Sequence, residues 1–232
     1  MAVTALPSRV YRGVPAGARR SERRERLVEA GLELFGTRGY HRTTVRDICS
    51  TAGLTERYFY ESFPTREELI VAVFEKVAGD VATRIMTAVA AAPRKARDLA
   101  RAAAGACIVH LTEDPRRARV LLLEAAGASE ALDRRRREMI REYAGVVRGV
   151  ASEFFGNTTW TETDAHLTSL AVVASVAELI MEWRLGNLDV SKERLTEHCA
   201  ALILAAGRTT SEPQSEGAQP RLVTSKNGKK RK

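Results

Sequence analysis

Residues 43–69 read TTVRDICSTAGLTERYFYESFPTREEL, and this stretch decides the fold. Val45, Ile48, Cys49 and Ala52 fall at i, i+3, i+4 and i+7, one apolar face of a short helix. Gly53 follows, where a helix needs a left-handed stop. Thr55 is placed to cap a second helix, on which Phe59 and Phe63 share a face. Pro64 ends that helix, because proline cannot continue one and restrains the residue before it. Thr65 and Glu68 form a T-x-x-E capping box that opens a third. Two short helices around a glycine-containing turn, the second exposing polar side chains, make a helix-turn-helix pattern.

The same periodicity extends to both sides. Residues 21–38 predict a helix with Leu27, Ala30, Gly31, Leu34 and Phe35 as its buried stripe. The helix opened at Thr65 runs to about residue 91, burying Ile70, Val73, Phe74, Val77, Val81 and Ile85. Further helices are predicted over about 96–112, 114–126, 129–155, 163–185 and 191–206, with Asp114–Pro115 as N-cap and first residue. Ala, Leu, Arg and Glu are abundant and β-branched alternation is nearly absent, so the expected class is all-α.

The quoted block resembles the DNA-binding domain of the TetR family of transcriptional regulators. The resemblance rests on Gly39–Tyr40, Thr43–Thr44, VRDI at 45–48, AGLT at 52–55, Phe59–Tyr60 and FPTREEL at 63–69. It covers roughly residues 27–77. It implies a three-helix DNA-binding domain over residues 21–67 and a larger helical ligand-binding and dimerisation domain over 68–207. Where most members carry a small residue or two early in the recognition helix, this chain has Arg57 and Tyr58. Operator preference therefore does not carry over from relatives.

Charge is concentrated at the ends. The formal net charge is +8, yet residues 1–20 carry four Arg and no acid, and residues 208–232 carry seven Lys or Arg against two acids. The body between is nearly neutral. Residues 1–20 read as a disordered basic arm, either a leader without a role or one that reaches DNA phosphates or the minor groove. Residues 208–232 read as a disordered basic tail. Cys49, Cys107 and Cys199 are odd in number and far apart, as expected of reduced thiols in a cytoplasmic protein. The N-terminus has no signal-peptide pattern, and the apolar run at 167–181 is shorter than a membrane span, so no membrane is expected.

For DNA contact the candidates are Thr44, Arg46, Thr55, Glu56, Arg57, Tyr58, Tyr60 and Arg66. Side chains at the start of a recognition helix meet base edges, and Arg can bond guanine O6 and N7 together. The alternatives are a solvated charge for Arg57 and packing on the first helix for Tyr58. Thr44, Arg46 and Arg66 sit near helix N-termini, which receive phosphate. The resemblance also implies an inducer site within the larger domain. Its inward candidates are Met86, Cys107, His110, Leu122, Tyr143, Val147 and Trp183, mostly apolar, which favours a small hydrophobic or amphipathic effector.

The helix over 163–185 is apolar nearly all round, so a second copy is expected to cover one side. The expected homodimer face is Leu170, Val173, Val176, Leu179 and Ile180, with Leu195, Cys199 and Leu202 of the last helix. None of the motifs H-E-x-x-H, C-x-x-C, G-x-S-x-G or a Walker loop occurs, so no enzyme, cofactor or metal site is expected. The expected function is a sequence-specific, double-stranded-DNA-binding regulator, a repressor released from a palindromic operator by its effector. The alternatives are an activator, or a non-specific DNA-binding protein of the same fold.

Overall fold

A computed structural model describes residues 16–124, 128–155 and 161–209. Within these residues the chain is helical: α1 Ala16–Thr37, α2 Val45–Ala52, α3 Glu56–Ser62, α4 Arg66–Ala91, α5 Ala96–Glu113 and α6 Pro115–Ala118. A π-helical turn, Arg119–Glu124, continues α6. Then come α7 Glu130–Phe155, α8 Glu162–Arg184 and α9 Lys192–Thr209. The all-α expectation holds.

Three helices and the start of α4 build a reading head. Leu27, Phe35, Ile48, Phe59, Leu69 and Ile70 are fully buried together. The turn between α2 and α3 has the chemistry its sequence requires. Gly53 stands at φ +60°, and the Leu54 N–H donates to the Cys49 carbonyl at 2.9 Å. Arg26 reaches across from α1 and donates to the carbonyls of Ala52 (2.5 Å) and Gly53 (3.3 Å). The C-terminal carbonyls of α2 thus find a partner, and the turn is tied to α1.

Beyond the head, α4 continues into a bundle. There α5 packs between α4 and α9, while α7 lies against α8. Ile108, Leu111, Val120, Leu132 and Ile180 continue the core without a break from the head.

Several local details differ from expectation. The first helix starts at Ala16 rather than residue 21, and Arg20 donates to the Glu61 carbonyl at 3.0 Å. Residues 16–20 of the expected disordered arm are therefore helical, while 1–15 lie outside the described residues, as does the basic tail from 210. Thr55 occupies the N-cap of α3 but makes no side-chain cap bond. Complete reciprocal boxes form instead at Thr44–Asp47 and Thr161–Asp164, while Thr65 accepts from the Glu68 N–H at 3.1 Å.

Hydrogen bonds from the Thr44 hydroxyl and amide hold the Asp47 carboxyl below its usual value. That contribution to α2 is present above the unfolded-state pKa and is lost as pH falls through the lowered folded value.

The expected helix over 114–126 is broken into α6 and the π turn. The capped helix α8 spans 23 residues, and by length and composition it is long and apolar enough to cross a bilayer. The sequence reading counted only its central apolar run; the helix extends that run through flanking polar residues. One such helix is weak evidence for a membrane, since an apolar packing helix has the same composition.

Candidate nucleic-acid interface and effector domain

The outer surface of the head is formed by the α1–α2 turn, the start of α2, and α3. His41, Arg42, Thr44 and Arg46 are exposed on the first two, and Thr55, Glu56, Arg57, Tyr58 and Tyr60 on α3. Arg42, Arg46 and Arg57 supply the positive charge here, while Glu22, Glu25 and Glu29 are exposed on α1. α1 also exposes Arg20, Arg24 and Arg26, so both signs of charge are mixed on it and the near-neutral balance of the head does not divide into a positive and a negative element. Arg42 is among the basic residues the turn region offers in sequence, whereas His41 carries no signal there, since turn residues have no periodicity.

Arg57 is freely available on α3. Its side chain is 85% exposed, and its Nε–H donates to Glu61 at 3.0 Å, one helical turn away. An exposed i,i+4 pair is worth only about 0.3–0.5 kcal/mol, so it yields readily to a better acceptor. Tyr60 is 55% exposed, with Phe59 edge-on behind it. Tyr58 is more constrained, because the Arg23 guanidinium of α1 stands 4.5 Å from its ring centroid. Packing against the first helix, the alternative weighed for Tyr58, is thus present, and 37% of the residue is still exposed. Arg57→Ala is expected to weaken operator binding by about 1–3 kcal/mol and relax preference at one base position per half-site. Fluorescence anisotropy on base-substituted operators measures both; if neither changes, Arg57 is a solvated charge only.

Arg66 is placed otherwise than expected. Its guanidinium lies 4.2 Å from the Tyr40 ring centroid and donates to the Thr43 carbonyl. Cation–π attraction and a backbone acceptor turn it inward, where it staples the start of α4 to the α1–α2 turn. Thr44 is likewise engaged, its hydroxyl donating to Asp47 Oδ2 at 2.6 Å.

The effector candidates separate into groups. Cys107 of α5 and Tyr143 of α7 are half-buried and close enough to perturb one another. Burial, and then Cys199 nearby, push the Cys107 thiol up to about 12. One turn along α5, His110 is buried, with Nδ1 3.3 Å from an Arg117 nitrogen and with no partner at Nε2. Desolvation, then Arg117, holds its pKa below the usual value, so the ring is neutral at pH 7. Leu122 is half-buried in the π turn.

Met86 is not an inward residue: it is 60% exposed, because it follows Ile85, which takes the inward position on α4. Trp183 is tied to the α8–α9 connection, its indole N–H donating to the Val190 carbonyl at 2.8 Å. The Val147 side chain lies outside the described residues. A cleft of about 430 Å3 opens between the head and α7, lined by Arg24, Phe63, Glu68, Glu75, Arg135 and Glu138 among others. It is charged rather than apolar, and none of the effector candidates lines it.

The expected dimer face also divides. Ile180, Leu195 and Cys199 are buried within one chain and cannot meet a second copy. Leu170 is exposed, and Val173, Val176, Leu179 and Leu202 are half-buried. Three free cysteines are present, and no cluster of three or more metal-binding side chains occurs among the described residues.

Residues 27–73, the helices just described, match the family model for bacterial regulatory proteins of the tetR family. The head is therefore similar to TetR-family DNA-binding domains over these residues. The TetR-type head is also shared with the HTH-type transcriptional activator FasR of Mycolicibacterium smegmatis. That match is 37% identical over 57 residues, 25% of this chain and 26% of FasR. Over the head alone the chain spans only about a fifth to a quarter of the curated relatives it matches. A longer match, 21% identical over 180 residues, links it to the fatty acid metabolism regulator protein of Bacillus subtilis. It covers 77% of this chain and 92% of that protein. The fold is likewise that of the transcriptional regulator FadR from Bacillus subtilis, solved in complex with stearoyl-CoA. The TM-score is 0.67 at 17% identity, covering 78% of this chain and 98% of that one.

Proposed function

We propose that this TetR-family regulator is a cytoplasmic homodimer that represses transcription from a palindromic operator and is released by a long-chain acyl thioester. Its working parts are the head, over about residues 21–67, and the bundle over 68–207. Arg57, Tyr58 and Tyr60 read bases and grip phosphate from α3, with Thr44 and Arg46 at the start of α2. The observation that carries the reading is this head: a capped α2, a left-handed Gly53 and a helix whose outward residues are Glu56, Arg57 and Tyr60. Such a helix fits the major groove, where side chains near its start reach base edges.

The acyl effector is supported by the regulators named for fatty acid metabolism and for stearoyl-CoA binding that resemble this chain over most of its length. It suits the apolar bundle, where the buried, neutral His110 is a polar handle. Its Nδ1 faces the Arg117 donor, which leaves Nε2–H to donate to a carbonyl. An effector acts only through its difference in affinity for two states of the protein.

The test has two steps. Selection from random DNA should return one inverted repeat. Stearoyl-CoA should then weaken binding to that repeat by about 5–150-fold. Equal binding of all sequences would leave a non-specific DNA-binding protein. Tighter operator binding with stearoyl-CoA would favour activation, the role in FasR's name.

A further inference from the structure

We propose that the π-helical turn Arg119–Glu124 is a conformational latch that couples the bundle to the reading head. The inference rests on the ligand-responsive reading above.

The turn and the short α6 before it press directly on the head. A Cβ at Gly36 of α1 would lie 2.4 Å from Arg116 Cβ and 2.8 Å from its Cα, so the two backbones meet with no room between them. Arg116 also donates to Glu33 at 2.5 Å. Further along, the two oxygens of Glu124 divide their work. The Tyr40 N–H donates to Oε2 at 2.9 Å, and the Arg119 Nε–H donates to Oε1 at 3.0 Å. Arg119 in turn donates to the Thr37 carbonyl at 3.0 Å. Between these contacts stands Gly39 at φ +89°, whose Cβ would lie 3.0 Å from Glu124 Oε1 and from Arg119. The π turn thus holds the whole α1–α2 connection, from which Thr44 and Arg46 lead toward DNA.

The same segment is anchored at its other end in the bundle. Arg184, the last residue of α8, donates to the Pro115 carbonyl at 2.8 Å. Arg117 donates to the His110 carbonyl of α5 at 3.2 Å. Val120 is fully buried, and Leu121 and Leu122 pack on the core. One turn of helix therefore carries Leu122, half-buried against the core that head and bundle share, and Glu124, bonded to the head.

A π turn is the uncommon helical register, and it occurs frequently at functional sites. Returning it to the α register turns the residues on one side of the change by about 100° relative to the other. That rotation takes Glu124 off the Tyr40 N–H and moves Leu122 against the core in the same step. An occupant of the bundle that shifts Leu122 biases the latch. The segment touches both the head and the bundle, and the α register is the second arrangement that physical coupling through it requires.

The test uses the full-length protein without ligand. Hydrogen exchange at the Tyr40 amide is followed in wild type, Glu124→Gln, Arg184→Gln and the double variant. Glu124→Gln removes the charged acceptor and should speed exchange at Tyr40 by about tenfold or more. Arg184→Gln, at the far end, should speed exchange at the same amide, and the double variant should show less than the product of the two effects. The latch is overturned if Arg184→Gln leaves Tyr40 unchanged, or if the two effects simply multiply. Either result would reduce the segment to two independent staples. Stearoyl-CoA and operator DNA supply a second arm. In Glu124→Gln the factor by which stearoyl-CoA weakens operator binding should fall toward one; an unchanged factor would also overturn the latch. If stearoyl-CoA does not alter operator binding by the wild type, the effector reading fails, and the exchange measurement still decides the latch.

Discussion

Leu170→Arg is expected to split the protein into folded monomers and to lower operator affinity by about 10²–10⁴-fold, the usual gain from joining two binding modules. The substitution is chosen from the surface of one chain. Leu170 is 42% exposed, and Leu167, Ala171, Ala174 and Ser175 are exposed beside it on α8. Arginine at 170 therefore meets no neighbour within its own chain. In a dimer built on this face it would be buried without a partner, which costs several kcal/mol. A two-fold axis places the same patch on both subunits, so one substitution strikes the contact twice. Light scattering and the thermal midpoint are measured together. Monomers with an unchanged midpoint and poor operator binding are the expected result. A variant that stays dimeric places the interface elsewhere. Ile180→Arg gives the contrast: Ile180 is fully buried in its own chain, so its replacement should unfold the bundle rather than divide it.

Why the sequence separated Leu170 from Ile180 so poorly is a question of geometry. A helix apolar on most of its surface has more than one buried side, and periodicity does not say which side meets its own chain. Met86 failed for a related reason. Past Val81, α4 leaves the fully buried core of the head, and an apolar residue there has no assured partner. The head was legible because its determinants are local. Gly53, the proline after Phe63 and the i, i+3, i+4, i+7 spacing of α2 act over a few residues each. The junction was not. Arg116, Arg119 and Glu124 read as ordinary helical charges, yet their partners lie more than 80 positions away: Glu33, Thr37 and Tyr40. Nothing in RVLLLE distinguishes a π turn from an α-helix, since the register is imposed by what the segment docks against. Arg66 shows the opposite error. Its place at a helix start suggested phosphate, but the Tyr40 ring and the Thr43 carbonyl compete for the same cation and lie within the fold.

Two neighbours on α3 provide the sharpest separation of fold from function. Phe59→Ala should destabilise the head by about 3–5 kcal/mol, the range for truncating a buried aromatic. Phe59 is 0% exposed, its ring lies 6.1 Å from that of Phe63, and it joins α3 to Ile48 and Leu69 in the core. Truncation leaves a cavity that the three packed helices of the head have little means to fill. Since a domain of this size holds only a few kcal/mol in reserve, the head should unfold at or near room temperature, and operator binding should vanish with it. Tyr60→Ala, one residue on, removes a side chain that is 55% exposed and should leave the thermal midpoint nearly unchanged. Its loss should appear only in DNA binding, and equally for all sequences where Tyr60 grips phosphate, because a phosphate contact positions the protein without reading bases. Circular dichroism and anisotropy on the two variants test the pair together. If Tyr60→Ala melts the head, or Phe59→Ala leaves it folded with full operator affinity, the division of α3 into an inner and an outer face is wrong.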